Sequence, residues 1–162
     1  MKIVEYEDKY IEDVRDLLVE LEEYIISIDE DHLDQIGEDY REKMILYDLK
    51  EMRENDGKMY LAIDNEQAVG MILGTVTKYT NVDYLDYKCP KKGRIIELIV
   101  TNKVRTKGIG SMLVSKMEEY FTSIGCQYIA LEVFGYNYNA IEFYKKHNYH
   151  TRIINMIKKL GD

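Results

Sequence analysis

Residues 95–115, IIELIVTNKVRTKGIGSMLVS, decide how the chain is read. An apolar run (IIELIV) passes into a short basic loop holding Gly108 and Gly110, and then into a helical pattern. Strand, glycine loop and helix start together form a site for an anion. The first turn of a helix leaves four backbone N–H groups without partners, and the macrodipole adds partial positive charge there. Glycines without a Cβ let an oxygen approach those groups, and Lys103, Arg105 and Lys107 add charge around the turn. Two nucleotide signatures fail on the residues. There is no GxxxxGK[ST], and after Gly108 and Gly110 the third position of GxGxxG is Leu113. LEVFGYN further on supplies no ribose-binding acid in the expected setting.

The rest of the chain organises around this unit. MKIVEYE alternates as a first strand, and Asp8 is expected to cap a helix with Ile11, Val14, Leu17, Leu18, Leu21, Tyr24 and Ile25 on one face. An acidic break, SIDEDHLDQIG, precedes a second helix over about residues 38–54, which stops before Asn55-Asp56-Gly57. KMYLAID (58–64) and AVGMILGTVTKYT (68–80) read as a hairpin turning at Asn65-Glu66. The spacing then predicts a strand at 94–100, a helix from Gly108 to about Ile124 ended by Gly125, a strand at 128–134, a short helix at 139–147 and a final strand in HTRIINMIKKL. The order β-α-α-β-β-β-α-β-α-β is that of an α/β domain with a mixed sheet, expected as one domain over residues 1–162.

Charge divides the chain. Residues 1–56 hold 7 Lys and Arg against 20 Asp and Glu, a net of −13, whereas residues 57–162 hold 15 against 10, a net of +5. The front half should attract cations and the back half could hold a polyanion. There is no sustained basic stripe or nucleic-acid reader motif, which argues against nucleic acid as a partner. No apolar stretch approaches the length of a membrane span, and MKIVEYEDKY is too acidic for a signal peptide. Cys89 and Cys126 offer no disulfide framework, so a cytoplasmic protein with reduced thiols is expected. His32, His147 and His150 lack metal-ligand spacing, and no metal is expected.

RTKGIG at 105–110 resembles the Arg/Gln-x-x-Gly-x-Gly/Ala signature of the GNAT superfamily of N-acetyltransferases. NYNAIEFYKKHNY at 137–149 is similar to that family's second block, with Asn148 where the family has glycine. Asparagine is the non-glycine residue best suited to a left-handed conformation. The resemblance implies a GNAT-like acyltransferase fold that uses acetyl-CoA as co-substrate. It implies pyrophosphate contacts from Arg105, Thr106, Lys107, Gly108, Ile109, Gly110 and Ser111, with the pantetheine arm along the amide edge of Leu98, Ile99 and Val100 and near Asn137. It implies Tyr144 near the sulfur, suited to protonating the leaving thiolate. Homodimers are frequent among similar proteins, and these residues point to no oligomeric state.

Two carboxylates are candidates for the base that takes the amine proton. Glu97 interrupts IIELIV, where burial would favour an apolar residue, and Glu132 in ALEVF is its rival. A backbone N–H near Val100 is the expected oxyanion donor, and a cysteine nucleophile is the minor option. Asp29, Glu30, Asp31 and Asp34 are expected to read the acceptor, favouring a polyamine, an aminoglycoside or a Lys-containing peptide. The reading is an N-acetyltransferase acting by direct attack in a ternary complex. Its rival is a non-catalytic acyl-CoA-binding sensor or interaction module.

Overall fold

A computed structural model describes residues 1–104 and 108–161. They form two compact units, Met1–Glu132 and the segment from Val133 onward. The first unit holds β1 (Lys2–Glu5), α1 (Ile11–Ile28), α2 (Tyr40–Glu54), β2 (Lys58–Asp64), β3 (Gln67–Val76), β4 (Lys92–Val100), α3 (Ile109–Ser123) and β5 (Tyr128–Ala130). The second holds α4 (Tyr138–Lys146). The strands form one sheet in the order β1-β2-β3-β4-β5, antiparallel except for the parallel β4–β5 pair. This is the expected α/β architecture with a mixed sheet.

Alternation along the strands divides the core between the two faces of the sheet. Met59, Leu61, Ile63, Met71, Leu73 and Ile99 pack against Val14, Leu17 and Leu18 of α1 and Ile45 and Leu49 of α2. The opposite face meets α3, whose buried Leu113, Met117 and Phe121 follow helical spacing. Asn65 and Glu66, at φ 47° and 66°, make the tight β2–β3 turn with both central residues left-handed, which matches strand twist.

Four local expectations are corrected. Asp8 opens a 3-10 turn over Asp8–Tyr10 and makes no capping hydrogen bond, and Tyr10 stands at the N-cap of α1. The returning hairpin strand ends at Val76 rather than Thr80, and β5 ends at Ala130, because its ladder to β4 runs only over Lys92–Arg94. Residues 150–161 form neither helix nor strand. A strand needs a partner ladder, and apolar residues in that segment do not supply one.

The close approach of α3 to the sheet needs a residue with no side chain. A Cβ on Gly93 would lie 2.6 Å from Phe121 Cγ and Cδ2, and Phe121 is wholly buried. Gly93→Ala should therefore destabilise the fold by about 1–3 kcal/mol through overpacking. Urea unfolding checks this, as a lower midpoint with unchanged slope.

Candidate active site

A register shift in β4 aims the site. Leu73 pairs with Glu97 and Gly74 with Ile95, so β4 carries one extra residue, Ile96, between those pairs. Gly74 faces Met117 and Phe121, which puts its partner Ile95 on the α3 side. Ile96 packs into the core with α1 and α2, and Glu97 pairs with Leu73 of that same core. The bulge thus turns Ile96 and Glu97 to one face, as such insertions do beside active sites. Without it, strict alternation would separate them.

On that face Glu97 meets other acids. Burial pushes its carboxyl up to about 8, and the charges of Asp48 and Glu22 push in the same direction. Asp48 lies on the inward stripe of α2 between Ile45 and Leu49, at 0% exposure. Burial pushes its carboxyl up to about 7, with Glu51 adding to the effect. Neither of its oxygens has a hydrogen-bond partner among the described residues. Tyr40 Oη donates to Glu22 Oε2 at 3.3 Å. Glu22 is itself raised by burial and by Asp34, against the lowering effect of the Tyr40 hydrogen bond. Burial, then Glu22 and Glu97, drive the Tyr40 phenol well above its ordinary range.

The anticipated substrate acids have different positions. Asp29 is 5% exposed, and its carboxylate accepts from the backbone N–H of Asp31 at 2.9 Å, of Leu33, and of Asp34 at 3.0 Å. Those N–H groups, that of Asp34 first, hold its carboxyl below the usual range. It therefore shapes the loop. Glu30 and Asp31 are exposed. Asp34 is partly buried, and its charge reaches Glu22. Glu132 follows β5 with a side chain 86% exposed and pairs with Arg94 at 3.1 Å.

Around the glycine loop, Arg105, Thr106 and Lys107 lie outside the described residues. Gly108, at φ 73°, is the N-cap of α3, and among the described residues no atom beyond its chain neighbours lies within 4 Å of where its Cβ would be. Leu98, Ile99 and Val100 pair with Ile72, Met71 and Gly70 of β3, whereas the ladder to β5 ends at Arg94. Glu20 of α1, absent from the sequence-based candidates, spans the end of β4. Its Oε2 accepts from Thr101 Oγ1 at 2.8 Å and its Oε1 from the Asn102 N–H at 2.7 Å. Burial raises both cysteine thiols, Cys89 further through nearby acids, which disfavours a nucleophilic thiolate.

In the second unit, Asn137 caps α4, its side chain accepting from the Ala140 N–H at 3.1 Å. Tyr144 packs its ring against Phe143 and Tyr149, with centroids 5.2 and 5.6 Å away. Asn148 adopts φ 65°, the left-handed conformation that its place in the second block calls for.

The raised carboxyls have a consequence for stability. Asp48 and Glu97 bind protons more tightly folded than unfolded, so between about pH 4 and 8 the unfolded chain gives up those protons first. Stability therefore falls as pH rises through that window. Asp48→Asn removes one such group and should gain on the wild type by on the order of 2 kcal/mol between pH 5 and pH 8.5. Urea midpoints at the two pH values measure the difference.

The profile of the Acetyltransferase (GNAT) family matches residues 15–149. The uncharacterized N-acetyltransferase MJ1530 of Methanocaldococcus jannaschii is 35% identical over 94 residues, 57% of this chain and 53% of that protein. The chain thus spans about half the length of this curated relative. The crystal structure of a point mutant of the BH1408 protein from Bacillus halodurans superposes with a TM-score of 0.84 at 18% identity, covering 99% of both chains. The aminoglycoside N-acetyltransferase AAC(6')-Iy in complex with CoA superposes at 0.67 and 14% identity, covering 98% of this chain and 100% of that one. At such identities the two structures speak for the fold alone. The family profile spans the bulged β4, the glycine-loop helix and α4 together, and on that evidence the chain belongs to the GNAT family of acetyltransferases.

Proposed function

We propose that the protein transfers an acetyl group from acetyl-CoA to a primary amine by direct attack in a ternary complex, with Glu97 as the base. The observation that carries this reading is Glu97 itself: a carboxylate turned by a bulge into an apolar face and raised by burial toward neutral pH. That is the range in which a general base is effective.

The described residues fit the co-substrate in two respects. The N-cap at Gly108 offers open backbone at the start of a fifteen-residue helix, as a pyrophosphate requires. Beyond Arg94 the β5 ladder stops, which suits an extended amide-bearing arm laid along β4. Arg105, Thr106 and Lys107 belong to the proposed pyrophosphate loop by their place in the RTKGIG motif, and Asn137 to the pantetheine contacts by its place in the second block.

Acetyl-CoA supplies an activated thioester, so no covalent intermediate on the enzyme is needed. Glu97 accepts a proton from the acceptor nitrogen. The neutral amine then forms a C–N bond to the acetyl carbon as the C–S bond breaks. Tyr144 donates its phenolic proton to the departing sulfur, since a phenol of pKa near 10 remains protonated at neutral pH; the second proton, shed by the nitrogen as the amide forms, restores the phenol, and the proton held by Glu97 passes to solvent. The exposed Glu132, paired with Arg94, is a weaker candidate for the base, because nothing withdraws it from water. Asp34, with Glu30 and Asp31 on the outer loop, would steer a cationic acceptor such as a polyamine, an aminoglycoside or a Lys-containing peptide. The aminoglycoside substrate named for a protein of the same fold is consistent with this class.

Acetyl-CoA at millimolar concentration should raise the thermal midpoint, and the absence of any shift would overturn the reading. Thiol release across a panel of small amines, antibiotics and peptides identifies the acceptor. Binding of acetyl-CoA without release for any amine would instead favour a non-catalytic acyl-CoA sensor. With an accepted amine, Glu97→Gln should lower kcat/KM about 100-fold or more. Tyr144→Phe should lower kcat with little change in acetyl-CoA affinity, whereas a purely structural tyrosine would lower stability and spare turnover.

A further inference from the structure

Asp48 has no part in the mechanism above, yet it occupies the inward stripe of α2. It lies between Ile45 and Leu49 at 0% exposure, and neither oxygen has a hydrogen-bond partner among the described residues. Folding alone would favour an apolar residue there. Glu97 reaches the same covered face from the sheet. The bulge sets it opposite Leu73, and Leu73, Ile45 and Leu49 belong to one core cluster against which Ile96 packs. The two carboxyls differ in access: Glu97 keeps some contact with solvent, and Asp48 has none. A proton can therefore pass directly between Glu97 and water or an acceptor, whereas Asp48 acts only through its charge. The groups facing the pair are Glu22 from α1, Asp34 through Glu22 from the loop after α1, Tyr40 and Glu51 from α2, and the apolar Leu73 from β3. None of these is a cation, and no ion pair among the described residues reaches Asp48, Glu97 or Glu22.

Protons, then, neutralise this face, and two desolvated carboxyls without a counter-ion lose them one after the other. Burial pushes Asp48 up to about 7, with Glu51 adding to the effect. Burial, and then the charges of Asp48 and Glu22, push Glu97 up to about 8. Asp48 therefore ionises first, and its charge delays the ionisation of its neighbour. We propose that Asp48 is a positioning residue for the transfer: its buried charge strengthens Glu97 as a base and makes the doubly deprotonated pair the form that accepts the amine proton. This rests on the acetyltransferase reading with Glu97 as base and names the residue that regulates that site. In the competent form the acceptor nitrogen gives one proton to Glu97 while Asp48 stays ionised. The proton on Glu97 then passes to solvent, which restores the pair. Loss of the Asp48 charge acts in opposite directions on the two sides of the titration. Glu97 ionises at lower pH, so more of the enzyme is competent in mild acid, while each Glu97 carboxylate is a weaker base.

The test is a pair of pH profiles on the full chain. Carbon-13 NMR of the side-chain carboxyls titrates Glu97 without any substrate. In the wild type the Glu97 signal should respond to the ionisation of Asp48 as well as to its own. In Asp48→Asn its midpoint should fall by about one pH unit or more. With an accepted amine, the acid limb of kcat/KM should move to lower pH by the same amount, and the plateau above about pH 9 should drop about 3-fold. Asp48→Leu, which leaves no polar group unpaired, should shift the midpoint and the limb in the same direction, and it keeps the test usable if the asparagine disturbs folding. A merely structural Asp48 would change stability and leave both profiles in place. A Glu97 midpoint that stays put in both variants, or an acid limb that moves to higher pH, overturns the proposal. Acetyl-CoA binding, followed by thermal shift on the same samples, separates the two readings. A wild type that binds acetyl-CoA but whose Glu97 ignores Asp48 defeats this inference alone, and one that fails to bind acetyl-CoA defeats the transferase reading beneath it.

Discussion

The extra residue in β4 is the constraint on which the site depends. Opposite Leu73 and Gly74, β4 fits Ile95, Ile96 and Glu97, and the ladder closes again only after the strand has turned Glu97 toward α1 and α2. That local irregularity sets a carboxyl on the face covered by α1 and α2, where it must be desolvated. The raised Glu97 carboxyl and its coupling to Asp48 and Glu22 follow from that displacement. The ladder to β5 ends at Arg94 of the same strand, immediately before the bulge.

A second constraint works from the helices. Glu20 ties α1 to Thr101 and Asn102 just past the end of β4, so the helix that contributes Glu22 to the acid face also anchors the end of the strand that carries Glu97. Asp29 is committed to three backbone N–H groups and gives the loop after α1 its shape, leaving Asp34 to act on Glu22. Acids that look equivalent in SIDEDHLD therefore divide into one that builds the loop, one that touches the cluster, and two that remain in water.

Much of this was legible in the residues. The helices, the hairpin at Asn65-Glu66, the strand through IIELIV and the helix after Gly108 follow from periodicity and turn chemistry, because those depend on neighbours within a few positions. Glu97 stood out because a lone acid in an apolar strand is a one-dimensional anomaly. Asp48 carries the same anomaly in weaker form, on a helix stripe of Ile45, Leu49 and Met52 whose amphipathicity is blurred by polar neighbours. The expected last strand had the composition of a strand, but composition cannot supply the ladder that a strand needs.

By itself, then, the sequence determined the order and kind of most elements, the helix start at Gly108, the left-handed need at Asn148 and the family to which the two blocks belong. These are local properties, set by backbone sterics, side-chain period and capping. Tertiary structure decided which acids share one face. Asp48 and Glu97 lie 49 positions apart, and only the packing of α1 and α2 on the sheet face to which the bulge turns Glu97 brings their charges within reach of each other. Electrostatic coupling depends on distance and desolvation in space, and neither is written in the spacing of residues along a chain.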